Sequence, residues 1–575
     1  MNLFLTYQEE FIIFFKKLNK KKKISLPQDL KNLTVELPPR GVKGDFSCNA
    51  AMILAKQNKK NPFELANVLQ KELLLNFNEF EKVDIAKPGF LNITFKSSFW
   101  NKYLLHIIKS GSKFGSHKSK VKKYNVEFVS ANPTGPLHVG HCRGAIIGDT
   151  ISNLLKFNGN KVSKEYYVND SGNQIKKFVS SVYHRILEVI EHKPFPIDNE
   201  LYPGNYIIEI AKNIINKKII NNYSSYEKIY KKLEIESIKL SIKLIKNHLN
   251  KLGVVHDSFF YESNLIKKKL VLKTVKKLQK DKYIYSGKLN PPKGELMNDW
   301  KPRTQLLFNS TKFGDDVDRP LQKEDKTWTY FASDIAYHAN KINRKFDILI
   351  NILGADHAGY IKRITSAVKA ISKNKIDFIC KVSQLVKLYK DGQPFKMSKR
   401  KGDYITIEDL LKEVGKDQIR FIMLNRSNDV ELDFDFKKVT EKTKENPVFY
   451  VQYAYARINS IFKVLNLKIE RRINLKKEKF ILNKHEIEIL KKISEWPKCV
   501  EIATKKLEPH RIPFYLYELS TLFHSYWNLG KSNKEFRFSH EGNVVNNCRL
   551  VLLQALELVI KNGMSIIGVS TPKSM

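Results

Sequence analysis

Between Tyr124 and Val168 the chain reads YNVEFVSANPTGPLHVGHCRGAIIGDTISNLLKFNGNKVSKEYYV. Its opening residues, Tyr124–Ser130, form a strand candidate, and a loop rich in Pro and Gly follows. Apolar residues then recur at helical spacing, and Gly159 is placed to end that helix. A second strand candidate covers Val162–Val168. A strand, a helix and a second strand in so short a stretch predict a βαβ unit, and such units build parallel sheets.

The rest of the chain predicts further domains around this unit, because 575 residues are too many for one hydrophobic core. Residues 1–110 combine an amphipathic opening helix, a Pro/Gly-rich turn and a strand at Pro88–Phe95, which predicts a small α+β domain. Residues 111–444 add a strand candidate, FDILINILGADH, and a mostly helical insertion from about 179 to 285. Residues 445–575 have a helical pattern throughout, so we expect an all-α domain there.

Basic residues are in large excess, since 101 Lys and Arg against 59 Asp and Glu give a formal net charge of +42. Such a charge attracts polyanions, and nucleic acid is the obvious one. Lys, Asn and Ile are also frequent along the whole chain, as codon bias in an AT-rich genome would produce. Both explanations stay open, so the charge only supports a nucleic-acid partner that other features must indicate.

The cysteines and the N-terminus favour a reducing, cytoplasmic environment. None of the five cysteines lies in a C-x-x-C pair, and an odd count suggests neither a disulfide framework nor a zinc knuckle. The N-terminus places acids before a short apolar run and lysines after it, which is the opposite order to a signal peptide. We therefore expect a cytoplasmic protein with no membrane partner and no protein-bound metal site.

The loop of the βαβ unit contains ANPTGPLHVGH, from Ala131 to His141. His138 and His141 are three residues apart, so at the start of a helix their imidazoles share one face. The unpaired N–H groups of a helix N-terminus add positive charge, and together these groups can cradle phosphate oxygens. Gly140 leaves room for the flat face of a ligand. Taken alone, the H-x-G-H motif also fits two surface histidines near a turn.

A second motif, K-M-S-K, covers Lys396 to Lys399 inside DGQPFKMSKRKGDYI. A polar, glycine-containing loop with two lysines can move over a bound triphosphate, because lysine acts as a mobile point charge. Taken alone, the tetrapeptide also fits a solvated basic loop in a lysine-rich chain.

Together the two motifs resemble the signature of class I aminoacyl-tRNA synthetases, and the Gly354-Ala355-Asp356-His357 turn matches the place where that class contacts the ribose of ATP. In such a fold the ligand lies at the carboxyl ends of the strands. The resemblance implies four catalytic residues: His138, His141, Lys396 and Lys399. It implies that ATP, as its Mg²⁺ complex, is bound by Ala131, Asn132, Pro133, Thr134, Gly135, Pro136, Leu137, Val139, Gly140, Gly354, Asp356, His357, Met397 and Ser398.

Four longer stretches are similar to the arginyl-tRNA synthetases, and they span nearly the whole chain. They are EFVSANPTGPLHVGH at Glu127–His141, YYVNDSGNQI at Tyr166–Ile175, FGDDVDRPLQK followed by WTYFASDIAYH up to His338, and ENPVFYVQYAYARINSI at Glu445–Ile461. The C-terminal GVSTPKSM also matches the habit of that family.

An arginine-selective site needs carboxylates, because the guanidinium is a planar cation with five donors. The resemblance implies an arginine pocket at Glu127, Asn132, Tyr330 and Asp334. Asp334 alone also fits a helix-capping acid, because it precedes an apolar run. Since polar mismatch in such a pocket rejects analogues strongly, an editing site is unnecessary.

Two residues depart from the pattern of the family. Gly135 stands where many relatives outside the bacterial type carry a lysine, so Lys399 above all would have to supply that charge. Arg400 stands where the class usually has a serine, which adds positive charge where phosphate is expected.

The resemblance implies an α/β protein: a Rossmann-type parallel-sheet catalytic domain with a helical insertion (111–444), a small α+β N-terminal domain that touches the tRNA elbow (1–110) and an all-α anticodon-binding domain (445–575). Arginine, ATP and tRNA(Arg) are the implied partners of a monomer. The candidates for stacking on bases are Tyr450, Tyr453, Tyr455 and Trp527, and a buried position in the core is the alternative for any single one of them.

Two other functions fit part of the sequence. A different nucleotidyltransferase could carry an H-x-G-H turn, but such enzymes lack the N-terminal extension and the long helical C-terminal domain. A non-catalytic tRNA-binding paralogue would show a decayed H-x-G-H or K-M-S-K motif, and both motifs are intact.

Overall fold

A computed structural model describes residues 2–39, 41–117, 120–289, 303–394, 405–469, 482–540, 542–544 and 546–575. The chain forms two compact units: Met1–Lys118 together with Lys442–Met575, and Ser119–Glu441. The K-M-S-K residues Lys396, Met397, Ser398 and Lys399 and the neighbouring Arg400 lie outside the described residues.

The first unit begins with a small α+β segment. Its elements are α1 (Leu3–Lys20), β1 (Val35–Glu36), β2 (Phe46–Cys48), α2 (Ala50–Leu54), α3 (Pro62–Asn76), β3 (Phe80–Ala86), β4 (Phe90–Phe95) and α4 (Ser97–Ser110). The four strands form an antiparallel sheet in the order β1-β2-β4-β3. Helix α1 buries one aromatic face against this sheet, with the Phe4 and Phe46 ring centroids 4.6 Å apart. The predicted opening helix and the predicted strand that ends at Phe95 are therefore confirmed.

The second unit follows, from β5 to α15. Its elements are β5 (Lys123–Glu127), α5 (Val139–Phe157), β6 (Lys161–Val168), α6 (Asn173–Glu191), α7 (Asn205–Asn216), α8 (Tyr226–Lys251), β7 (Ser258–Tyr261), α9 (Ser263–Lys267), α10 (Leu270–Lys280), β8 (Ile284–Gly287), β9 (Gln305–Phe308), β10 (Arg319–Pro320), α11 (Tyr330–Asn343), β11 (Ile348–Gly354), α12 (Ile361–Ser372), β12 (Asp377–Ser383), β13 (Val386–Lys390), β14 (Gln393–Pro394), α13 (Ile407–Val414), α14 (Lys416–Met423), β15 (Leu432–Asp435) and α15 (Phe436–Thr440).

Five parallel strands form the main sheet, in the order β12-β11-β5-β6-β7. The βαβ unit β5-α5-β6 is confirmed. The strand order reverses between β5 and β11, and in doubly wound sheets the ligand crevice opens at this switch point, beyond the carboxyl ends of the strands. Two small three-stranded sheets, β10-β9-β8 and β14-β13-β15, complete the unit.

Two details of the main sheet differ from the sequence prediction. The first strand ends at Glu127 and not at Ser130, because Val129 and Ser130 have φ angles of 71° and 42° and turn the chain away from the sheet. Strand β7 lies inside the stretch that was predicted to be mostly helical. Its four residues, SFFY, are too few to show a period of two.

The first unit ends with a helical segment. Its elements are α16 (Pro447–Val464), α17 (Lys484–Ser494), α18 (Trp496–Lys506), α19 (Arg511–Ser532), β16 (Ser539–His540), β17 (Asn543–Val544) and α20 (Asn547–Ile567). A hairpin of two-residue strands thus interrupts the predicted helical pattern.

The helical segment packs against the N-terminal segment in one shared core. The buried Trp496 indole donates to the Phe114 carbonyl at 3.0 Å, and Lys491 Nζ lies 2.7 Å from a carboxylate oxygen of Asp45. Gly115 has a φ of 96°, and a Cβ there would lie 2.3 Å from the Trp496 indole nitrogen. The close approach of this backbone therefore requires glycine.

Within the described residues, α20 is long and apolar enough to cross a bilayer. In the protein, 83% of its apolar window is buried. This is how the central helix of a packed helical domain is placed.

Candidate active site at the switch point of the sheet

The carboxyl ends of β5 and β11 lie side by side, with Glu127 and Asn351 as register partners. The H-x-G-H loop leaves the end of β5, and the Gly354–His357 turn leaves the end of β11. The fold thus brings two of the three predicted ATP-binding segments to one edge of the sheet. The third segment, K-M-S-K, lies outside the described residues.

The two histidines form a reciprocal cap at the start of α5. His138 is the N-cap residue, and its Nδ1 accepts from the Gly140 backbone N–H at 3.1 Å. The His138 backbone N–H donates to Nδ1 of His141 at 3.3 Å. A neutral imidazole that accepts at Nδ1 carries its proton on Nε2. Both rings are therefore held as Nε2–H donors, with their centroids 4.0 Å apart.

Gly140 makes the cap possible. A Cβ on Gly140 would lie 2.8 Å from Cε1 of His138, so a side chain there would displace the capping ring. The structure therefore explains the glycine at position 140 by the space that the His138 ring needs. The sequence analysis had explained it by room for a ligand.

The loop before the cap is held by tyrosine hydroxyls. Tyr166 donates to the Ala131 carbonyl at 2.7 Å, and Tyr206 donates to the Thr134 carbonyl at 2.9 Å. The same Tyr206 ring would contact a Cβ at Gly135 at 3.0 Å. This loop is therefore fixed before any ligand binds.

The segment that follows the K-M-S-K stretch in the chain is bonded to the histidine turn. The backbone N–H of Val139 donates to the Ile405 carbonyl at 3.2 Å, and the N–H of Ile407 donates to the Leu137 carbonyl at 2.9 Å. His138 and Thr406 form a β-bridge between these two bonds. The chain six residues beyond Lys399 is thus attached to the predicted phosphate site.

The turn after β11 presents its polar side chains to solvent. The side chains of Asp356 and His357 are 80% and 62% exposed, with His357 Nε2 3.5 Å from Asp356. Gly354 begins the turn, and a Cβ there would lie 2.6 Å from Oδ1 of Asp356. Exposure at the switch point leaves these groups accessible to a nucleotide.

Asp334 lies inside helix α11 and does not cap it. The N-cap is Thr329, whose side chain accepts from the Ala332 N–H at 3.3 Å. The alternative explanation of Asp334 as a helix cap is therefore wrong. Its carboxylate accepts a hydrogen bond from the Tyr360 hydroxyl. Burial, with the charges of Glu127 and Glu262 adding to it, raises the pKa of Asp334 to about 7.

Glu127 lies nearby and is already paired. One carboxylate oxygen binds the ammonium of Lys341, and the other accepts from the Ser130 hydroxyl at 3.1 Å. Lys341 is fully buried and also donates to the Asn351 side-chain oxygen at 3.1 Å. The sequence did not indicate this lysine as a site residue.

Glu262 and Asp170 extend the acidic cluster around the ring of Tyr167. Burial, followed by the charge of Asp170, raises the pKa of Glu262. Acidic side chains with pKa values raised in this way are typical of functional sites. Asp170 lies in a stretch that resembles the family, but Glu262 carries no sequence signal. Tyr360 could have been predicted as a site residue, because it follows the Gly354 turn closely.

Asn132 and Tyr330 line a separate cleft of about 280 Å³ together with Ser171 and Gln174. Asn132 donates to the Gln174 side chain at 2.6 Å, and Tyr330 is 67% exposed. Of the residues that the structure describes, those that line this cleft do not include Glu127 and Asp334. Ser171 connects the two, since it also contacts the carboxylate of Glu262.

The aromatic candidates for base stacking lie in the first unit, and some are at the surface whereas others are in the core. The guanidinium of Arg457 lies 4.1 Å from the Tyr453 ring and 5.0 Å from the Trp527 ring, in a groove of about 760 Å³ that Lys463 and Lys573 also line. Tyr450 packs on His524, with ring centroids 4.3 Å apart. Tyr455 is only 2% exposed and donates to Glu557 at 2.8 Å, so its stacking role was wrongly predicted.

A doubly wound sheet with an H-x-G-H cap at its switch point defines the catalytic domain of a class I aminoacyl-tRNA synthetase. The family model "tRNA synthetases class I (R), catalytic domain" matches residues 103–194 and 302–463. "Arginyl tRNA synthetase N terminal domain" matches 14–95, and "DALR anticodon binding domain" matches 451–575.

The curated relatives agree with these matches. An arginine–tRNA ligase of Pelagibacter ubique is 57% identical over 578 residues and covers 100% of both chains. One of Ruegeria pomeroyi is 43% identical and covers 96% of both. A crystal structure titled as a putative arginyl-tRNA synthetase of Campylobacter jejuni is 31% identical, with a TM-score of 0.72, covering 84% of this chain and 100% of its own. The chain belongs to the arginyl-tRNA synthetase family.

Its reaction is that of an arginine–tRNA ligase, EC 6.1.1.19. ATP, L-arginine and tRNA(Arg) give AMP, diphosphate and L-arginyl-tRNA(Arg), by way of arginyl-adenylate. The N-terminal and anticodon-binding matches argue against a small-molecule nucleotidyltransferase.

Proposed function

We propose that the acidic cluster binds the guanidinium of arginine, with Asp334 and Glu127 as the carboxylates and with Asn132 and Tyr330 toward the mouth of the site. The observation that carries this proposal is the grouping of the half-buried Asp334 carboxylate, which the Tyr360 hydroxyl holds, with Glu127 and Glu262, whose charges add to burial in raising the pKa of Asp334 to about 7. A guanidinium that enters would favour the ionised carboxylate and release a proton.

The H-x-G-H cap acts on ATP in the activation step. The arginine carboxylate attacks the α-phosphorus, the bond from that phosphorus to the bridging oxygen breaks, and pyrophosphate leaves. The Nε2–H groups of His138 and His141 donate to phosphate oxygens, and Lys396 and Lys399 add positive charge. Phosphoryl-type transfer needs this positioning and charge stabilisation more than a protein nucleophile.

The remaining ATP contacts follow the two turns of the sheet. They are Ala131, Asn132, Pro133, Thr134, Gly135, Pro136, Leu137, Val139 and Gly140 in the first turn, Gly354, Asp356 and His357 in the second, and Met397 and Ser398 in the K-M-S-K stretch. Mg²⁺ enters with the triphosphate as part of the substrate. Among the described residues there is no cluster of three acidic, His or Cys side chains that could hold a metal.

The first unit handles the tRNA. Residues 1–110 contact the elbow, residues 445–575 bind the anticodon, and residues 111–444 carry the chemistry. The enzyme works as a cytoplasmic monomer without a membrane partner. The cysteines support a reducing compartment, since all five carry thiols outside any disulfide: Cys48, Cys142, Cys380, Cys499 and Cys548.

Arginine-dependent ATP–pyrophosphate exchange, with and without tRNA, tests the active-site assignment. His141→Asn keeps an acceptor near the position of Nδ1 for the cap but removes the Nε2–H donor. Losing one charge-assisted hydrogen bond costs about 1.5–3 kcal/mol, so we expect exchange to fall roughly 10- to 150-fold. Thermal unfolding should be unchanged. His141→Gln, which places an amide N–H near Nε2, is expected to keep more activity, and full exchange in His141→Asn would contradict the role.

Arg457→Ala is expected to weaken tRNA binding, because the variant loses a charge that lies on two aromatic rings in a basic groove. If Arg457 contacts a phosphate, the slope of log K against log salt concentration should fall by about 0.7–0.9. Filter binding over a salt series measures the slope. Lys505→Ala, which removes a lysine outside the groove, is the control. Equal slopes in Arg457→Ala and the unmodified protein would exclude the groove as a phosphate contact.

A further inference from the structure

We infer that Lys341 is a positioning residue for arginine recognition, acting through its buried ion pair with Glu127. This inference rests on the proposed role of Glu127 in the arginine pocket. Neither the two motifs nor the resemblance to the family indicated Lys341.

Lys341 lies on the pocket face of α11, seven residues after Asp334, which is two turns along the helix. Its side chain is completely buried, and a buried ammonium persists only where partners compensate for its lost hydration. The partners are the Glu127 carboxylate, the Asn351 side-chain oxygen at 3.1 Å and the face of Tyr337, with Nζ 4.6 Å from the ring centroid.

The partners of Lys341 are themselves fixed. Asn351 contacts Nε2 of His338 at 3.3 Å, and Nδ1 of His338 lies 2.9 Å from the Asp334 carbonyl. Burial, with the charge of Lys341 adding to it, lowers the pKa of His338 to about 3, so this ring stays neutral. A rigid network thus connects the helix that carries Asp334 to the strand end that carries Glu127.

The charges explain why a cation is needed at this position. Glu127 and Glu262 are buried, the half-buried Asp334 lies near them, and like charges in such a place disfavour ionisation. Lys341 compensates the charge of Glu127 and fixes one of its oxygens. The other oxygen, which accepts from Ser130, stays in a set orientation for the guanidinium. Preorganised carboxylates lose less freedom when the ligand binds.

A double-mutant cycle on the KM for arginine tests the inference. Lys341→Met should raise this KM roughly 10- to 100-fold while the KM for ATP stays the same, because the carboxylate loses its orientation. If Lys341 acts through Glu127, adding Lys341→Met to Glu127→Gln should raise the KM little further. Additive effects would overturn the inference, because Lys341 would then act independently of Glu127.

Arg344→Met is the matched control. Arg344 is the C-cap residue of the same helix and pairs with the buried Glu165, outside the proposed pocket. The Arg344→Met variant should have lower thermal stability and an unchanged KM for arginine. This result separates the loss of a buried ion pair from the loss of positioning. Lys341→Arg should recover part of the affinity. If Glu127→Gln alone leaves the KM unchanged, the proposed role of Glu127 fails. If Glu127→Gln raises the KM and Lys341→Met does not, only the present inference fails.

Discussion

Asp334→Asn is expected to weaken arginine binding at least about 100-fold and, at the same time, to stabilise the folded protein at pH 8. The loss of binding follows because the variant removes the charge that meets the guanidinium. The gain in stability follows because the half-buried carboxylate of Asp334, beside other acids, is forced to ionise at that pH. Asparagine avoids this cost and keeps an oxygen that can accept from Tyr360.

The sign of the pH dependence comes from the raised pKa. The folded protein holds the Asp334 proton up to a pH of about 7, whereas the unfolded chain releases it near 3.8. Stability is therefore lost as the pH rises between these values, and the loss is complete above the higher one. With about 1.4 kcal/mol for each pH unit, the cost at pH 8 is at most about 4 kcal/mol. The gain from Asp334→Asn should vanish near pH 4.

Calorimetry and unfolding at two pH values check both effects. In the unmodified protein, arginine should bind more tightly as the pH rises from 6 to 8 and should release a proton, seen as a dependence of the heat on the buffer. Asp316→Asn, at an exposed acid on the same unit, is the control. Unchanged arginine affinity in Asp334→Asn would exclude Asp334 from the pocket.

Arg420→Met is expected to destabilise the second unit by roughly 3 kcal/mol, because it removes one of the two cations, Arg420 and Lys164, that pair with the buried carboxylate of Asp149. Arg420 is fully buried, pairs with Asp149 and donates to the Leu252 carbonyl at 3.1 Å. Burial alone would raise the pKa of Asp149, but the charges of Arg420 and Lys164 outweigh it and lower the pKa. The stabilisation that comes from the lowered pKa of Asp149 is present above a pH of about 3.8 and is lost as the pH falls further.

Urea unfolding of Arg420→Met and of the triple variant Asp149→Leu/Lys164→Met/Arg420→Met measures the effect. Replacing all three side chains removes the whole buried ion cluster, so the triple variant should lose less stability than the single one. Arg426→Met, at an exposed arginine, should stay within about 0.5 kcal/mol of the unmodified protein. If Arg420→Met were as stable as the control variant Arg426→Met, the prediction would be refuted. Asp149 lies on α5, so pyrophosphate exchange in Arg420→Met should fall along with stability.

The parts of the site that lie close together in sequence were predictable, and the parts that the fold brings together were not. His138 and His141 lie within one helical turn, so their spacing alone indicated that both imidazoles share one face at the start of a helix, although it did not indicate the cap that they form. Lys341 and Glu127 are separated by 214 residues, and a lysine in a lysine-rich chain gives no signal of its own. Glu262 is similar, because only the parallel pairing of β6 with β7 brings it beside Tyr167.

One wrong prediction, the stacking role of Tyr455, and one wrong alternative, the helix-cap explanation of Asp334, have the same physical origin. Asp334 follows a serine and precedes apolar residues, as a cap would, but Thr329 starts the helix one turn earlier. Tyr455 lies among aromatic residues that alternate in sequence, and only the packing of α16 against α20 decides which of them is buried. Local patterns thus establish that a helix exists, whereas tertiary contacts decide its first residue and its buried face.

The core shared by the first and last segments affects the order of folding during synthesis. Phe114 and Trp496 are hydrogen-bonded across 382 residues of intervening sequence. The ribosome releases the chain from its N-terminus, so the early segment waits with part of its apolar surface uncovered until the late helices emerge. The α/β unit, Ser119–Glu441, is compact in itself and has been synthesised in full before Trp496 is added, so we expect it to fold first. We therefore expect a nascent chain that is stalled before Trp496 to resist protease in its middle section and to be cleaved near Phe114.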